Sequence, residues 1–225
     1  MNSLLPLRHR FLSDVGVEHG FGLRSLPEPP GIRRPRQVHG VAVATAQQCA
    51  LEPPPEADAV VSEQVGVRIA VVTADCVPIL LASESGSAVA AVHAGWRGIA
   101  RGVIGAGVSA LRLRVARPER ITAVIGPHIG PCCYEVDEPV MDALTDRFSS
   151  VLPDASRKTR PGHVRLDLGL LARAALAAGG VEPDQIGSLP DVCTACNPER
   201  FHSYRRDGAK AGRQIHFIAA GVESD

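Results

Sequence analysis

The chain has 225 residues, 45% of them apolar, and its 24 Lys and Arg balance 24 Asp and Glu. That length fits one large domain or two small ones with a real hydrophobic core, and zero net charge argues against a protein whose main task is coating nucleic acid or anionic lipid. The opening MNSLLPLRHRFLSDVG lacks the apolar run of a signal peptide and no stretch reaches the ~20 apolar residues of a membrane span, so the expectation is a soluble cytoplasmic protein whose six cysteines are ligands, reactive thiols or small buried residues rather than a disulfide framework.

In chain order, the basic clusters RHR (8–10), RRPR (33–36) and RR (205–206) read as solvated loop residues. The proline-rich runs LPEPPG (26–31) and EPPPEAD (52–58) read as surface loops inside one domain. ADAVVS (57–62) and VRIAVVTAD (67–75) are β-branched, apolar and closed by polar or turn residues, the marks of strands. VPILLA (77–82) and SAVAAVHA (87–94) follow as strands joined by the turn SESG. Ile99, Val103, Ile104, Val108 and Leu111 recur at helical spacing, which predicts an amphipathic helix over 98–116 despite three internal glycines. ITAVIG (121–126) reads as a strand, and 137–148 as a helix with acidic residues in its first turn. A basic loop is expected over 153–163, then a helix from Leu168 closed by Gly179 and Gly180. IGSLPDVC (186–193) and RQIHFIAAG (213–221) complete the strands. Strands that come both in hairpin succession and with helices between them predict a mixed α+β fold rather than a doubly wound one. No GxGxxG or Walker loop follows a strand, so nucleotide-cofactor folds lose their main signal.

Three predicted strands or loops end on residues able to hold a metal. His39 precedes a glycine in QVHG, Asp75 and Cys76 close one strand, and His93 closes another. Two imidazoles and a thiolate are a legitimate zinc set that leaves a fourth position for water or substrate, and Asp75 could orient a ligand or move protons. The spacings match no local metal motif, so on spacing alone two separate satisfied histidines and a small buried cysteine are the better reading, and a Cys–His hydrolase with Cys76 as nucleophile and His93 as base is a further one. Cys193 and Cys196 have CxxC spacing, but without a second CxxC, and with Cys132 and Cys133 vicinal, they read as incidental loop cysteines. GPHIGPCCYEV (126–136) is either a ligand-approaching loop or a stiff connector. FHSYRRDG (201–208) could stack a base and hold a phosphate, or form a charged corner. Trp96 and Arg97, placed before the predicted helix, suit an anion site or a core plug with a surface arginine.

Taken together, RQVHG (36–40), ADAVVS, VVTADCVPILL (71–81), VAAVHAGWRG (89–98), GPHIGPCCYEV, DVCT (191–194) and FHSYRRDGAKAGRQ (201–214) stand in an order that resembles the laccase-like multicopper polyphenol oxidoreductase domain family. Its members are now described as purine nucleoside phosphorylases with adenosine deaminase activity. The resemblance runs from about residue 36 to 220. It implies a layered α/β/β/α sandwich similar to cysteine hydrolases, a single catalytic domain over 1–225, and one catalytic metal site on His39, Cys76 and His93. Family members carry a longer glycine-rich and helical stretch before QVHG. Here only residues 26–36 stand between HGFGLRS (19–25) and QVHG, so the segment before residue 36 is short and the pocket rim differs.

The expected chemistry is zinc-dependent phosphorolysis of adenosine, inosine and related nucleosides, with deamination of adenosine. Arg97, the helix start beside it and Arg205 or Arg206 are assigned to phosphate, Tyr204 to base stacking, and Asp75 to proton transfer. The expected partners are a small nucleoside and phosphate, with neither nucleic acid nor membrane; the sequence sets no oligomeric state. The alternatives are copper-dependent oxidation of phenols and hydrolysis by Cys76. Copper is the less favoured metal: neither Met1 nor Met141 neighbours a candidate ligand, and eight histidines are few for a multicopper enzyme.

Overall fold

A computed structural model describes residues 5–221. The chain runs through α1 (Arg10–Asp14), β1 (Glu18–Phe21), β2 (Val43–Thr45), β3 (Ala59–Ser62), β4 (Ile69–Thr73), β5 (Val77–Ser83) and β6 (Val89–Ala94). Then come α2 (Trp96–Arg101), α3 (Val103–Arg112), β7 (Ile121–Ile125), β8 (Glu135–Asp137), α4 (Glu138–Phe148), α5 (Leu152–Ala155), β9 (Ser156–Lys158) and β10 (His163–Leu166). α6 (Leu168–Ala178), β11 (Ile186–Ser188), α7 (Tyr204–Asp207) and β12 (Gln214–Ala219) complete it.

The strands form three sheets: a six-stranded one in the order β11-β7-β5-β6-β3-β2, and three-stranded ones ordered β1-β12-β4 and β8-β10-β9. This is a mixed α+β fold, as the patterning predicts. β5 and β6 are buried along their whole length, so their sequences read as unbroken apolar runs. Alternation survives only in the choice of core. Val77, Ile79, Leu81, Ala90 and Val92 meet Ile99, Ile104, Val108, Leu144, Phe148 and Leu171 of the helical layer. Leu80, Ala82, Val89 and Ala91 meet Phe21, Ile69, Val71 and Ile218 of the small sheet on the opposite face. Each fully buried Val, Leu, Ile or Phe among them contributes about 1.5–3 kcal/mol relative to exposure. Among the described residues no helix is long and apolar enough to cross a membrane.

Three expectations need correction. The helix expected over 98–116 starts two residues earlier and is split at Gly102, whose φ of 95° only glycine adopts without strain. Trp96 and Arg97 therefore lie in the first turn rather than before it. The expected basic loop 153–163 contains α5 and β9, which pairs with β10 from Ser156 to Lys158; a short, charged strand pair carries no apolar alternation. The strand expected over 186–193 stops at Ser188, ahead of Pro190, which has no N–H to give a ladder.

Candidate metal centre and cleft

Strand register brings the metal-capable residues to one end of the central strands of the large sheet. β5 and β6 pair antiparallel with Val77 opposite Ala94 and Pro78 opposite His93; one step further, Cys76 faces Gly95. β3 and β6 pair with Ala59 opposite Val92, and the His93 N–H donates to the Asp58 carbonyl at 2.8 Å. Gly95 must be glycine for want of space: a Cβ there would stand 2.9 Å from Cys76 Sγ and 3.0 Å from His39 Cδ2. The QVHG loop is tied down from both sides. Gln37 imitates a strand, donating to the Val72 carbonyl at 2.8 Å and accepting from the Val72 N–H at 2.7 Å.

On the other side of that loop lies Asp58, which has no solvent exposure. Its carboxylate accepts the backbone N–H groups of Val38, His39 and Gly40 at 3.2, 2.9 and 2.6 Å. The same carboxylate takes His93 Nδ1 at 2.8 Å. With Nδ1 committed to a carboxylate, Nε2 of His93 is the ring nitrogen left to face Cys76 and a metal, as in carboxylate–histidine–metal arrangements. Donor atoms of His39, Cys76 and His93 all lie within 4.8 Å of one another, with His39 Nε2 at 3.9 Å from Cys76 Sγ. Burial grades across the cluster, from buried His93 through Cys76 to exposed His39, so one side is open.

The electrostatics favour a thiolate. Burial alone would raise the Cys76 thiol, but the hydrogen bonds and charge of His39 and His93 outweigh it and bring it down to about 6. Burial would lower His93, yet Asp58 and the Cys76 sulfur raise it to about 9. Burial works against the charge of Asp58 as well, but His93 and the Gly40 and Val38 N–H groups keep it below the usual carboxylate range. Two imidazoles, one thiolate and an orienting carboxylate fit a borderline-soft divalent cation.

The open side faces a cleft of about 610 Å³, a size suited to a small organic ligand. Asp75, Arg97, Tyr204 and Arg205 all line it, together with Arg34, Arg36, Arg213, Trp96 and Tyr134. Arg97 stacks over Trp96 at 4.3 Å, and Arg205 lies 5.1 Å from the Tyr134 ring. Among the described residues, Arg97, Arg205 and Arg213 have no carboxylate within ion-pair distance, a composition that suits an anion. Arg206 is placed otherwise. Its guanidinium pairs with Asp207 and donates to the carbonyls of Thr194, Ala195 and Phe201, and it does not line the cleft.

Asp75 has φ 92°, strained for a residue with a side chain. Thr194 Oγ1 and the Arg205 N–H, each at 2.6 Å from one of its carboxylate oxygens, hold it there. The sequence reading missed Asp58, whose partners are mostly backbone, and Tyr134, whose phenol burial keeps neutral by pushing it above its ordinary value.

Comparison with known proteins agrees with this geometry. The model of the family described as multi-copper polyphenol oxidoreductase laccase matches residues 24–221. A Xylella fastidiosa protein named purine nucleoside phosphorylase is 45% identical over 184 residues, spanning 79% of this chain and 68% of that protein. The crystal structure of YlmD from Geobacillus stearothermophilus superposes with a TM-score of 0.85 at 28% identity, covering 99% of this chain and 98% of the other. Bacillus licheniformis YfiH gives 0.81 at 27% identity over 90% and 92%. With the ordered motifs, the fold and nearly the whole length in agreement, the chain belongs to the multi-copper polyphenol oxidoreductase laccase family.

Proposed function

We propose that this chain is a zinc-dependent purine nucleoside phosphorylase with adenosine deaminase activity, one catalytic unit acting in the cytoplasm on a small nucleoside and phosphate. One observation carries the reading: His39, Cys76 and His93, oriented by Asp58, converge at the floor of an arginine-lined cleft. The named activity of the relatives points the same way. Zinc held by these three residues would polarise a water or substrate oxygen at its fourth position.

The protein side chains supply the rest. In phosphorolysis a phosphate oxygen bonds to the anomeric carbon as the glycosidic bond breaks, and the purine leaves with the bonding pair and takes up a proton. Arg97, Arg213 and the free donors of Arg205 hold the phosphate and neutralise it, with Arg34 and Arg36 at the rim. Exposed Tyr204 gives the purine a stacking face. Asp75 relays a proton from the attacking dihydrogen phosphate to the leaving purine; in deamination it moves one from the attacking water to the departing amine. Two bonds fix its position, and a carboxylate has lone pairs beyond those two.

The test is incubation of zinc-loaded protein with adenosine and inosine, with and without phosphate, followed by product chromatography. Free base formed only with phosphate supports phosphorolysis, and inosine formed from adenosine without phosphate supports deamination. Absence of both products overturns the reading, as does a Cys76→Ala protein with full turnover.

Asp58, His93 and Cys76 in series favour a second reading, a cysteine hydrolase with an oriented base. It requires activity in chelator-treated protein that alkylation of Cys76 abolishes. The copper reading has less support, since Met141 lies on α4 and does not line the cleft. A blue-copper absorbance in the purified protein would revive it.

A further inference from the structure

The four cysteines that look incidental in sequence are neighbours in space. β7 and β11 are parallel partners, so the loops that follow them leave the sheet at the same end. Pairing continues beyond the strands: the Leu189 N–H donates to the Ile125 carbonyl at 3.2 Å and the Thr194 N–H to the His128 carbonyl at 3.0 Å. This lays Cys193 and Cys196 against Cys132 and Cys133, about sixty residues away. Cys132 Sγ lies 3.4 Å from Cys193 Sγ and 3.5 Å from Cys196 Sγ, and Cys133 Sγ lies 3.3 Å from Cys196 Sγ. All four sulfurs fall within 4.8 Å of one another.

We propose that Cys132, Cys133, Cys193 and Cys196 bind one zinc ion as a tetrathiolate, a structural site separate from the cleft. A tetrahedral ion with bonds of about 2.3 Å to sulfur spaces its ligands about 3.8 Å apart, inside the range seen here. An iron–sulfur cluster places several irons between its thiolates and needs a wider ring. Apolar burial does not account for the gathering, because Cys132 and Cys196 are exposed. The Gly130 N–H donates to Cys193 Sγ at 3.3 Å, the kind of outer-shell donor that steadies a bound thiolate.

The ion would join the two walls that shape the cleft. One loop carries Tyr134 and, through the carbonyls of Cys133 and Glu135, receives Arg205 at 3.4 and 2.9 Å. The other carries Thr194, the donor that holds Asp75. Zinc here is a brace between these loops, and the cluster itself does not line the cleft.

The experiment uses Cys76→Ala protein, in which the cleft centre is already broken, so its outcome is independent of the nucleoside reading. Purified with reductant and without chelator, this protein is expected to hold one zinc per chain, and Cys76→Ala/Cys196→Ser none. Cobalt loaded into Cys76→Ala is expected to give the intense sulfur-to-metal charge-transfer absorption of a four-thiolate site, lost in the double variant. If the double variant fails to fold, cobalt loading and thiol counting on Cys76→Ala alone decide the matter. Zinc-free Cys76→Ala protein with four reactive thiols, a mass lowered by disulfide formation between the loops, or iron in place of zinc would each overturn the proposal.

Discussion

His93 is held from behind by Asp58, a carboxylate with no solvent exposure, whereas two of the four cysteines near the end of β7 stand in the open. Both clusters lie where β7 ends and β5 begins, at the same end of the large sheet's strands, yet they arise by different means. The cleft set follows from strand register: Cys76 precedes β5, His93 sits in β6, and His39 is fixed by backbone bonds to Asp58. The cysteine set follows from two loops laid together by a parallel pair. One has a buried orienting carboxylate and an open side facing arginines; the other has a backbone N–H donor and does not line the arginine cleft. Donor atoms alone do not separate a reactive centre from a brace. What surrounds them does.

The largest expected effects set the clusters against each other. Cys76→Ala should lower nucleoside turnover by about 10³-fold or more, since a catalytic metal supplies several kcal/mol and each 1.36 kcal/mol is tenfold. Its melting temperature should fall only by what the lost cleft metal contributes through linkage, less than for the four-thiolate site. Cys196→Ser should do the reverse, lowering the melting temperature by several degrees while turnover of the folded protein stays within about tenfold. Steady-state kinetics and thermal melts on both variants check this; a Cys196→Ser protein that melts normally but is inactive would invert the comparison.

Next comes the second sphere. Asp58→Asn replaces the charged acceptor of His93 Nδ1 with an amide and should weaken metal binding in the cleft by about 10–100-fold. Competition with a chromophoric chelator measures this, and the four-cysteine site should keep its zinc. Equal loss from both sites would mean that Asp58 supports the fold as a whole rather than one centre. Thr194→Val probes the link between the two regions. It removes the 2.6 Å bond to Asp75, and a hydrogen bond to a charged group is worth about 1.5–3 kcal/mol. Denaturant unfolding should show that loss, and kcat should fall because Asp75 is no longer held at its strained φ.

Legibility in the sequence followed the same division. Cys76 and His93 could be found because each interrupts an apolar strand that has no other reason to end on a polar group. Asp58 sat in plain view within ADAVVS but could not be assigned, since backbone N–H groups, its main partners, leave no trace in residue identity. Arg205 and Arg206 are adjacent on a four-residue helix, and only the packed loops decide that the first lines the cleft while the second is consumed by carbonyls and Asp207. β2, β8 and β9 have three residues each, too few to carry a period. The cysteine cluster needs a contact across 61 positions, and spacing rules built on local motifs do not reach that far.

The smallest expected effect concerns what lies beneath the cleft. His216 on β12 is fully buried, bonded through Nε2 to Thr73 Oγ1 at 2.9 Å, with Nδ1 lacking a hydrogen-bond partner among the described residues. Burial, aided by the charge of His93, lowers it from 6.5 to about 3. The unfolded chain therefore binds a proton below pH 6.5 that the folded chain refuses, so stability is unaffected by this group above that pH and falls as pH drops from 6.5 toward 3. The slope approaches about 1.4 kcal/mol per pH unit, or about 3–5 °C in melting temperature for a chain of this size. His216→Gln keeps a polar partner for Thr73 but cannot titrate. Its melting temperature should fall less between pH 6.5 and 5.5 than that of the wild type, by about 2–4 °C, because the slope is only half developed at pH 6.5 and integrates to about 1 kcal/mol over that unit. Equal slopes in His216→Gln and wild type would show that this imidazole takes up its proton inside the folded protein, and that the floor of the cleft is more polar than its burial implies.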